Sequence, residues 1–135
     1  MDNLNKEQRK KNMQHIRSKN TIPEKMIAKE LRKRKIYFVQ NDERVFGKPD
    51  FVFRRKKVVV FIDSDFWHVN PERFIMPKSN IEYWTQKIER NKRRDIEVNI
   101  RLLHEGWRVI RLWEYDVKKS FEESINIIYK AIGKE

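Results

Sequence analysis

Two aspartates stand at the limits of neighbouring apolar runs. Gly47-Lys48-Pro49-Asp50-Phe51 opens one run, and Val58-Val59-Val60-Phe61-Ile62-Asp63 closes the next. Paired carboxylates at strand ends can hold one or two Mg2+ ions, because hard divalent cations take oxygen ligands and leave positions for water and phosphate. A cation held there polarises a phosphoryl oxygen, lowers the pKa of a bound water and offsets charge on the leaving oxygen. The main-chain carbonyl of Ile62, next to Asp63, is a further oxygen of the same kind. Either aspartate alone reads equally well as a strand-end residue bonded to its own backbone. The pair, in a strongly basic chain, reads as a metal site facing a polyanion.

Phe66-Trp67-His68 follows at once. Two adjacent large aromatics cannot both enter one core from a strand, since successive side chains point to opposite faces. One of them packs and the other is exposed, or they wedge between base pairs as apolar side chains do in proteins that unstack DNA. His68 titrates near neutral pH and is a candidate general base toward an attacking water, although a lone histidine can equally be structural.

A third signal lies further on. Trp84, Ile88, Asn91, Asp95, Val98 and Leu102 recur at alternating steps that place them on one face of one helix. Asn91 and Asp95 interrupt an otherwise apolar stripe. Burying either without a partner costs on the order of 1 to 3 kcal/mol, so either water reaches them or Asp95 meets a functional group near the aspartate pair.

The elements that must position these groups follow from local pattern. Thr21-Ile22-Pro23-Glu24 reads as a helix start, with Thr21 as N-cap and Glu24 closing a capping box, and the helix runs to about Lys33 with Ile27 and Leu31 on its apolar stripe. Tyr37 to Val39, Asp50 to Phe53 and Lys57 to Ile62 read as three strands, with Arg54-Arg55-Lys56 turning between the last two. The unbroken Val-Val-Val-Phe-Ile run predicts a strand buried on both faces and therefore helices on each side of the sheet. A long helix spans Ser79 to Glu105 and ends at Gly106. A fourth strand covers Trp107 to Trp113, and Ser120 with Glu123 caps a last helix carrying Phe121, Ile125, Ile128 and Ile132. The order is helix, three strands, helix, strand, helix.

Composition bounds what this can be. The chain has 135 residues, enough for one domain, and an excess of 32 Lys and Arg over 20 Asp and Glu gives a formal charge of +12. An anionic partner is expected, with nucleic acid ahead of a membrane surface. No apolar run approaches the roughly 18 to 20 residues that span a bilayer, and the first residues lack an apolar signal core, so the expected location is cytoplasmic, on DNA. With no cysteine there is neither a disulfide framework nor a Cys-based zinc site. Residues 5 to 20 are almost wholly polar apart from Met13 and Ile16, which reads either as a solvated helix or as a basic arm that orders on DNA.

The motifs together resemble the very short patch repair (Vsr) endonucleases. The resemblance rests on Asn12-Met13, Ile16-Arg17-Ser18-Lys19, Pro23-Glu24, Gly47-Lys48-Pro49-Asp50, Phe61-Ile62-Asp63, Phe66-Trp67-His68, Tyr83-Trp84, Lys87-Ile88, Asn91, Arg94-Asp95, Gly106-Trp107-Arg108-Val109 and Trp113-Glu114, in order over roughly residues 10 to 116. It implies an α/β fold with the restriction-endonuclease-like αβββαβ core of the PD-(D/E)xK superfamily, a central mixed sheet flanked by helices. An N-terminal basic arm (residues 1–20) would precede the nuclease core (21–116), and a C-terminal helix (117–135) would follow it, all in one domain.

The implied activity is Mg2+-dependent hydrolysis of a phosphodiester in double-stranded DNA, with Mn2+ as a substitute, as a nick beside the thymine of a T:G mismatch. Carried over by position, Asp50 is the central metal ligand and the Ile62 carbonyl a second, with Asp63 beside them. His68 is the base, Asp95 orients it, and Glu24 holds metal-bound water. DNA contacts fall to Met13, Ile16, Arg17, Lys19, Lys48, Phe66, Trp67 and Arg94. Phe66 and Trp67 enter the stack from one groove while Met13 and Ile16 approach from the other. A monomer suits nicking.

Departures from the family pattern are specific. The best-known members hold a structural zinc around the Phe-Trp-His loop and near the Trp-Glu dipeptide, where this chain has Asp65, Asn70 and Tyr115, so no structural zinc is expected and the loop must be held by packing or hydrogen bonds, with Pro71 and Phe74 as candidates. Asp63 stands where those members carry histidine, and no lysine follows it at the D/E-x-K step, which leaves activation to His68. Two other readings stay open: an endonuclease of the same fold cutting matched DNA, for restriction or a mobile element, and a non-catalytic DNA-binding module. The last is disfavoured because carboxylates beside a phosphate repel it unless a cation intervenes.

Overall fold

The computed structural model describes residues 21–66, 68–71 and 74–134. Helix α1, Ile22–Lys33, begins at Thr21 with Pro23 in its first turn and buries Ile27, Ala28 and Leu31. The capping box expected of Thr21 and Glu24 does not form, since the Thr21 side chain makes no capping bond. Glu24 instead turns into the protein, where it is 2% exposed.

Strand β1 is shorter and later than the sequence predicts, Val39–Gln40 in place of Tyr37 to Val39. Tyr37 faces solvent, and Phe38 leaves the ladder to pack on the rings of Phe51 and Phe53. Asp42, in the connection to β2, accepts bonds from Arg44 at 2.9 and 3.0 Å on one oxygen and from Arg44 and Arg54 at 3.2 and 3.1 Å on the other. Strands β2, Phe51–Phe53, and β3, Val58–Asp63, form a hairpin over the Arg54–Lys57 turn.

Helix α2, Ile81–His104, carries the chain across the sheet to β4, Arg108–Trp113. Its end is marked by Gly106 at φ 89°, a conformation open to glycine, with Trp107 N–H returning to the Leu102 carbonyl at 2.9 Å. A short helix α3, Glu114–Lys119, follows β4 directly, and α4, Phe121–Ala131, closes the described chain. The sequence pattern does not announce α3. It is less than two turns long and buries Val117 alone, too little for a periodic signal. Ser120 occupies the N-cap of α4 without a side-chain bond.

Among the described residues the strands form one mixed sheet in the order β1-β2-β3-β4. The first two pairings are antiparallel and β3–β4 is parallel, with Phe61 opposite Arg111 and Asp63 opposite Trp113. Parallel pairing requires a long crossover, which α2 provides. Strand β3 is covered on both faces, as its unbroken apolar run predicts. On one face Phe51, Phe53, Val58 and Val60 meet α1, α3 and α4 through Leu31, Val117, Ile125 and Ile128. On the other, Val52, Val59 and Phe61 meet Val98 and Leu102 of α2. This α/β layering is that of the expected αβββαβ core with an added short helix.

Candidate active site

Antiparallel pairing brings the start of β2 to the end of β3, so Asp50 and Asp63 lie at the same end of the sheet. Asp50 is fixed by the Ile62 N–H, which donates to its Oδ2 at 2.6 Å. Glu24 reaches the same place from α1, accepting from the side-chain amides of Gln40 at 2.9 Å and Asn41 at 3.5 Å and sharing a hydrogen bond with Asp50. Burial, followed by the Glu24 carboxyl, pushes the Asp50 pKa up to about 8. Two carboxyl groups this close cannot both ionise cheaply without a proton or a cation between them.

The approach to Asp50 is made by Gly47 at φ 82°. A Cβ here would come within 2.6 Å of Val98 Cγ1, so the chain passes closer to α2 than any side chain permits. Glycine is required twice over, by conformation and by space.

His68 donates from Nδ1 to Asp95 Oδ2. Its Nε2 lies 3.9 Å from Asp63 Oδ1. Arg111 on β4 completes the group. Its Nη1 donates to Asp63 Oδ1 at 2.8 Å and lies 3.7 Å from Asp95 Oδ1, and its Nε donates to Asn99 Oδ1 at 2.8 Å. The guanidinium rests over the Phe61 ring, 4.2 Å from its centre. Burial pushes the Asp63 carboxyl up, against the lowering charges of His68 and Arg111. For His68 burial works against protonation, but the Asp95 hydrogen bond and the charges of Asp63 and Asp95 outweigh it, and the imidazole is raised above its usual value.

These groups open into one cleft of about 630 Å3. Asn91 and Asp95, the polar interruptions of the α2 stripe, both line it, and Lys87, Arg90 and Arg94 add positive charge along the same helix. Glu114, at the end of β4, lies at its edge, its carboxyl raised by burial and by Asp65. Acidic oxygens with a hydrogen-bonded imidazole, beside a row of cations, suit hydrolysis of a phosphodiester.

Comparison with known proteins agrees with that chemistry. A family model described as DNA mismatch endonuclease Vsr matches residues 1–71. The chain belongs to the Vsr family. Among its relatives is the type II nicking enzyme V.NmeDIP of Neisseria meningitidis serogroup C, 48% identical over 89% of this chain and 82% of that protein. The type II nicking enzyme V.HpaIIP of Haemophilus parainfluenzae is 42% identical over 98% and 96%. The DNA mismatch endonuclease Vsr of Escherichia coli K12 is 36% identical over 78% and 69%. This Vsr-family chain is an endodeoxyribonuclease, and DNA is its substrate. No helix among its described residues is long and apolar enough to cross a membrane.

Within the Vsr-family fold the sequence-predicted residues divide. Asp50, Ile62, Asp63, His68, Asp95, Glu24 and Arg94 share the cleft. Lys48 does not line it; it is exposed at φ 50°, with its amine 4.0 Å from Glu43. Phe66 is half-buried, its ring 5.6 Å from Phe74 and 5.4 Å from Trp84. Met13, Ile16, Arg17, Lys19 and Trp67 lie outside the described residues.

The loop after β3 is held by hydrogen bonds of its own. Asn70, 4% exposed, donates from its side chain to Asp65 Oδ1 and from its backbone to the Asp65 carbonyl, each at 2.9 Å. Phe74 N–H then bonds the Asn70 carbonyl at 2.8 Å. Phe74 thus contributes to the loop as the sequence suggests, through both its ring and its backbone.

Sequence reasoning missed Arg111 and Asn99. A signal for Arg111 was present: alternation along β4 puts it on the same sheet face as Trp107 and Val109, where an apolar residue would be expected. Asn99 has no such signal, because its position on α2 borders the stripe without interrupting it.

The residues present fit a divalent cation. Asp50 and the Ile62 carbonyl supply hard oxygens, and the buried Asp50–Glu24 pair is a place where positive charge lowers the energy. Among the described residues no group of three or more His, Cys, Asp or Glu side chains is placed to hold a metal ion. A site with one or two carboxylates and several open positions is the usual arrangement for Mg2+ acting on phosphate.

Proposed function

We propose that this Vsr-family endonuclease nicks one strand of duplex DNA at a T:G mismatch, as a cytoplasmic monomer acting in repair. A divalent cation, Mg2+ or Mn2+, would be held by Asp50 and the Ile62 carbonyl, with Asp63 as the neighbouring carboxylate and Glu24 bonding its water. When bound, it supplies charge stabilisation on the phosphoryl group and acidifies water. The observation that carries the reading is the His68–Asp95 hydrogen bond in the same cleft as Asp50, which Lys87, Arg90 and Arg94 also line.

With Nδ1–H donated to Asp95, the neutral imidazole presents Nε2 as its acceptor. That nitrogen takes the proton of the attacking water, and Asp95 stabilises the imidazolium that results. Lys87, Arg90 and Arg94 pair with backbone phosphates and set the strand in register without reading its sequence. Arg17, Lys19 and Lys48 add further phosphate contacts, while Met13, Ile16, Phe66 and Trp67 approach the base stack. Opening of the stack at a weakened pair lowers the cost of their entry.

A second reading is favoured by the two relatives named as type II nicking enzymes: nicking governed by the surrounding sequence, in company with a modification system. One experiment separates them. The protein and Asp50→Ala are incubated with Mg2+ on T:G-mismatched duplexes in varied sequence contexts and on the matched duplexes. Nicking of the mismatch in every context supports the first reading, and nicking of it in one context alone supports the second. Cleavage of matched duplex as readily as mismatched, or cleavage by Asp50→Ala, refutes the proposed site or target.

A further inference from the structure

We propose that Arg111 is a positioning residue whose guanidinium joins Asp63 to Asp95, making Asp63 part of the mount that holds His68. The inference rests on the nuclease reading above and assigns Asp63 a role apart from that of Asp50.

The guanidinium is anchored from three elements. Its own strand β4 carries it, Asn99 of α2 takes its Nε–H at 2.8 Å, and Phe61 of β3 lies under it at 4.2 Å. It therefore presents Nη1 from a fixed direction, at 2.8 Å to Asp63 and 3.7 Å to Asp95. Planar, multiply bonded presentation is what distinguishes arginine from lysine here.

His68 needs such a mount. It follows β3 in a loop whose backbone bonds are local, His68 N–H to the Ser64 carbonyl at 3.1 Å and Val69 N–H to the Phe66 carbonyl at 3.3 Å. Its ring orientation depends on the side chains around it, Asp95 at Nδ1 and Asp63 at 3.9 Å from Nε2. Those two carboxylates repel one another, and Arg111 is the cation set between them. A half-buried arginine, its side chain 19% exposed on an otherwise apolar strand face, carries a desolvation cost that packing alone does not offset. The cost is accounted for if the residue holds Asp63 and Asp95 in place. Asp63, with Oδ1 taken by Arg111, then serves the histidine, while Asp50 with Glu24 and the Ile62 carbonyl forms the cation side of the cleft.

The test compares wild type with Arg111→Lys, which keeps the charge and loses the fork, and with Asn99→Ala, which removes the Nε anchor and serves if the first variant does not fold. NMR of the His68 ring nitrogens in the DNA-free protein is the deciding readout. Wild type is expected to show a single tautomer with Nδ1 protonated, and the variants a mixture. Turnover should fall at least about tenfold with KM for DNA within about twofold, and Mn2+ affinity should stay near wild type in Arg111→Lys while Asp50→Asn loses it. An unchanged His68 tautomer in a folded Arg111→Lys overturns the proposal, as does a loss of Mn2+ affinity equal to that of Asp50→Asn. A wild-type protein that nicks no duplex refutes the nuclease reading instead, and the ring-nitrogen spectrum still decides the role of Arg111.

Discussion

His68 and Asp95, separated by 27 positions, meet through a hydrogen bond between a loop and the middle of the long helix. The bond selects the tautomer that leaves Nε2 as an acceptor. Replacement of His68 by Ala should lower the single-turnover nicking rate by about 10²- to 10⁴-fold, the usual contribution of a positioned base. Asp95→Asn should cost up to about 10⁴-fold, because the amide loses the charge that stabilises the imidazolium and can hold the ring in the wrong tautomer. Retention of wild-type rates by both variants at saturating DNA would remove His68 from the chemistry.

The Asp50–Glu24 pair predicts a trade of stability against function. Burial and Glu24 raise the pKa of the Asp50 carboxyl from 3.8 to about 8, so stability of the metal-free protein is lost as pH rises between these values, where the unfolded chain ionises and the folded one does not. Asp50→Asn should therefore raise the Tm of the metal-free protein at neutral to alkaline pH, by a few degrees on the scale of about 3 to 5 °C per kcal/mol for a domain of this size. The same variant should show no Mg2+-dependent nicking. Wild type should gain Tm on adding Mg2+ and lose it again with a chelator, since a ligand that binds only the folded state stabilises it. Calorimetry with and without chelator checks the two thermal outcomes and a nicking assay the third, and a lower Tm for Asp50→Asn would contradict the account of the pair.

Gly47→Ala tests the close passage beside α2. The added Cβ meets Val98 Cγ1 at 2.6 Å and must adopt φ near 82°, so the cost should reach about 1 to 3 kcal/mol from overpacking. Val98→Ala in the same chain should relieve the clash and leave the backbone strain, recovering part of the loss after correction for the Val98 cavity. Urea unfolding of the two single variants and the double variant measures this, and additivity within about 0.5 kcal/mol would show that the two sites do not touch.

Asp42 governs acid stability at the β1–β2 connection. Its hydrogen bonds from Arg44, with help from Arg54, hold its pKa at about 2, against the raising effect of burial. A depressed folded pKa gives stability that is complete above the unfolded value of 3.8 and lost as pH falls through about 2. Asp42→Asn should cost about 1 to 2 kcal/mol at neutral pH and flatten the fall in stability between these two values. A variant whose acid unfolding follows wild type would show that the pair contributes nothing there.

The fold was legible where a residue's neighbours in the chain suffice. The period of α2, the unbroken run of β3 and the glycine that ends α2 each fixed an element and the face it buries. Local reading failed where a residue had two possible partners. Thr21 and Glu24 have the spacing of a capping box, yet Glu24 lies among Asp50, Gln40 and Asn41, because a carboxyl at the start of α1 also faces the sheet end. Phe38 has strand character and packs instead on its neighbours' rings.

The sequence by itself determined the chemistry available: carboxylates at strand ends, a histidine after them, polar residues on an apolar helix face, and a charge suited to DNA. Residue type and short-range spacing carry that information, since they set which side chains exist and which face each occupies. Tertiary structure alone decided which groups meet. Arg111 reaches Asp63 only because β3 and β4 pair in parallel with Phe61 opposite Arg111, and Asp95 reaches His68 only because α2 crosses that face of the sheet. Register and crossing depend on the packing of the whole core, so although the stripe marked Asp95 as needing a partner and the family resemblance pointed to His68, the part that Arg111 plays between Asp63 and Asp95 had to wait for the fold.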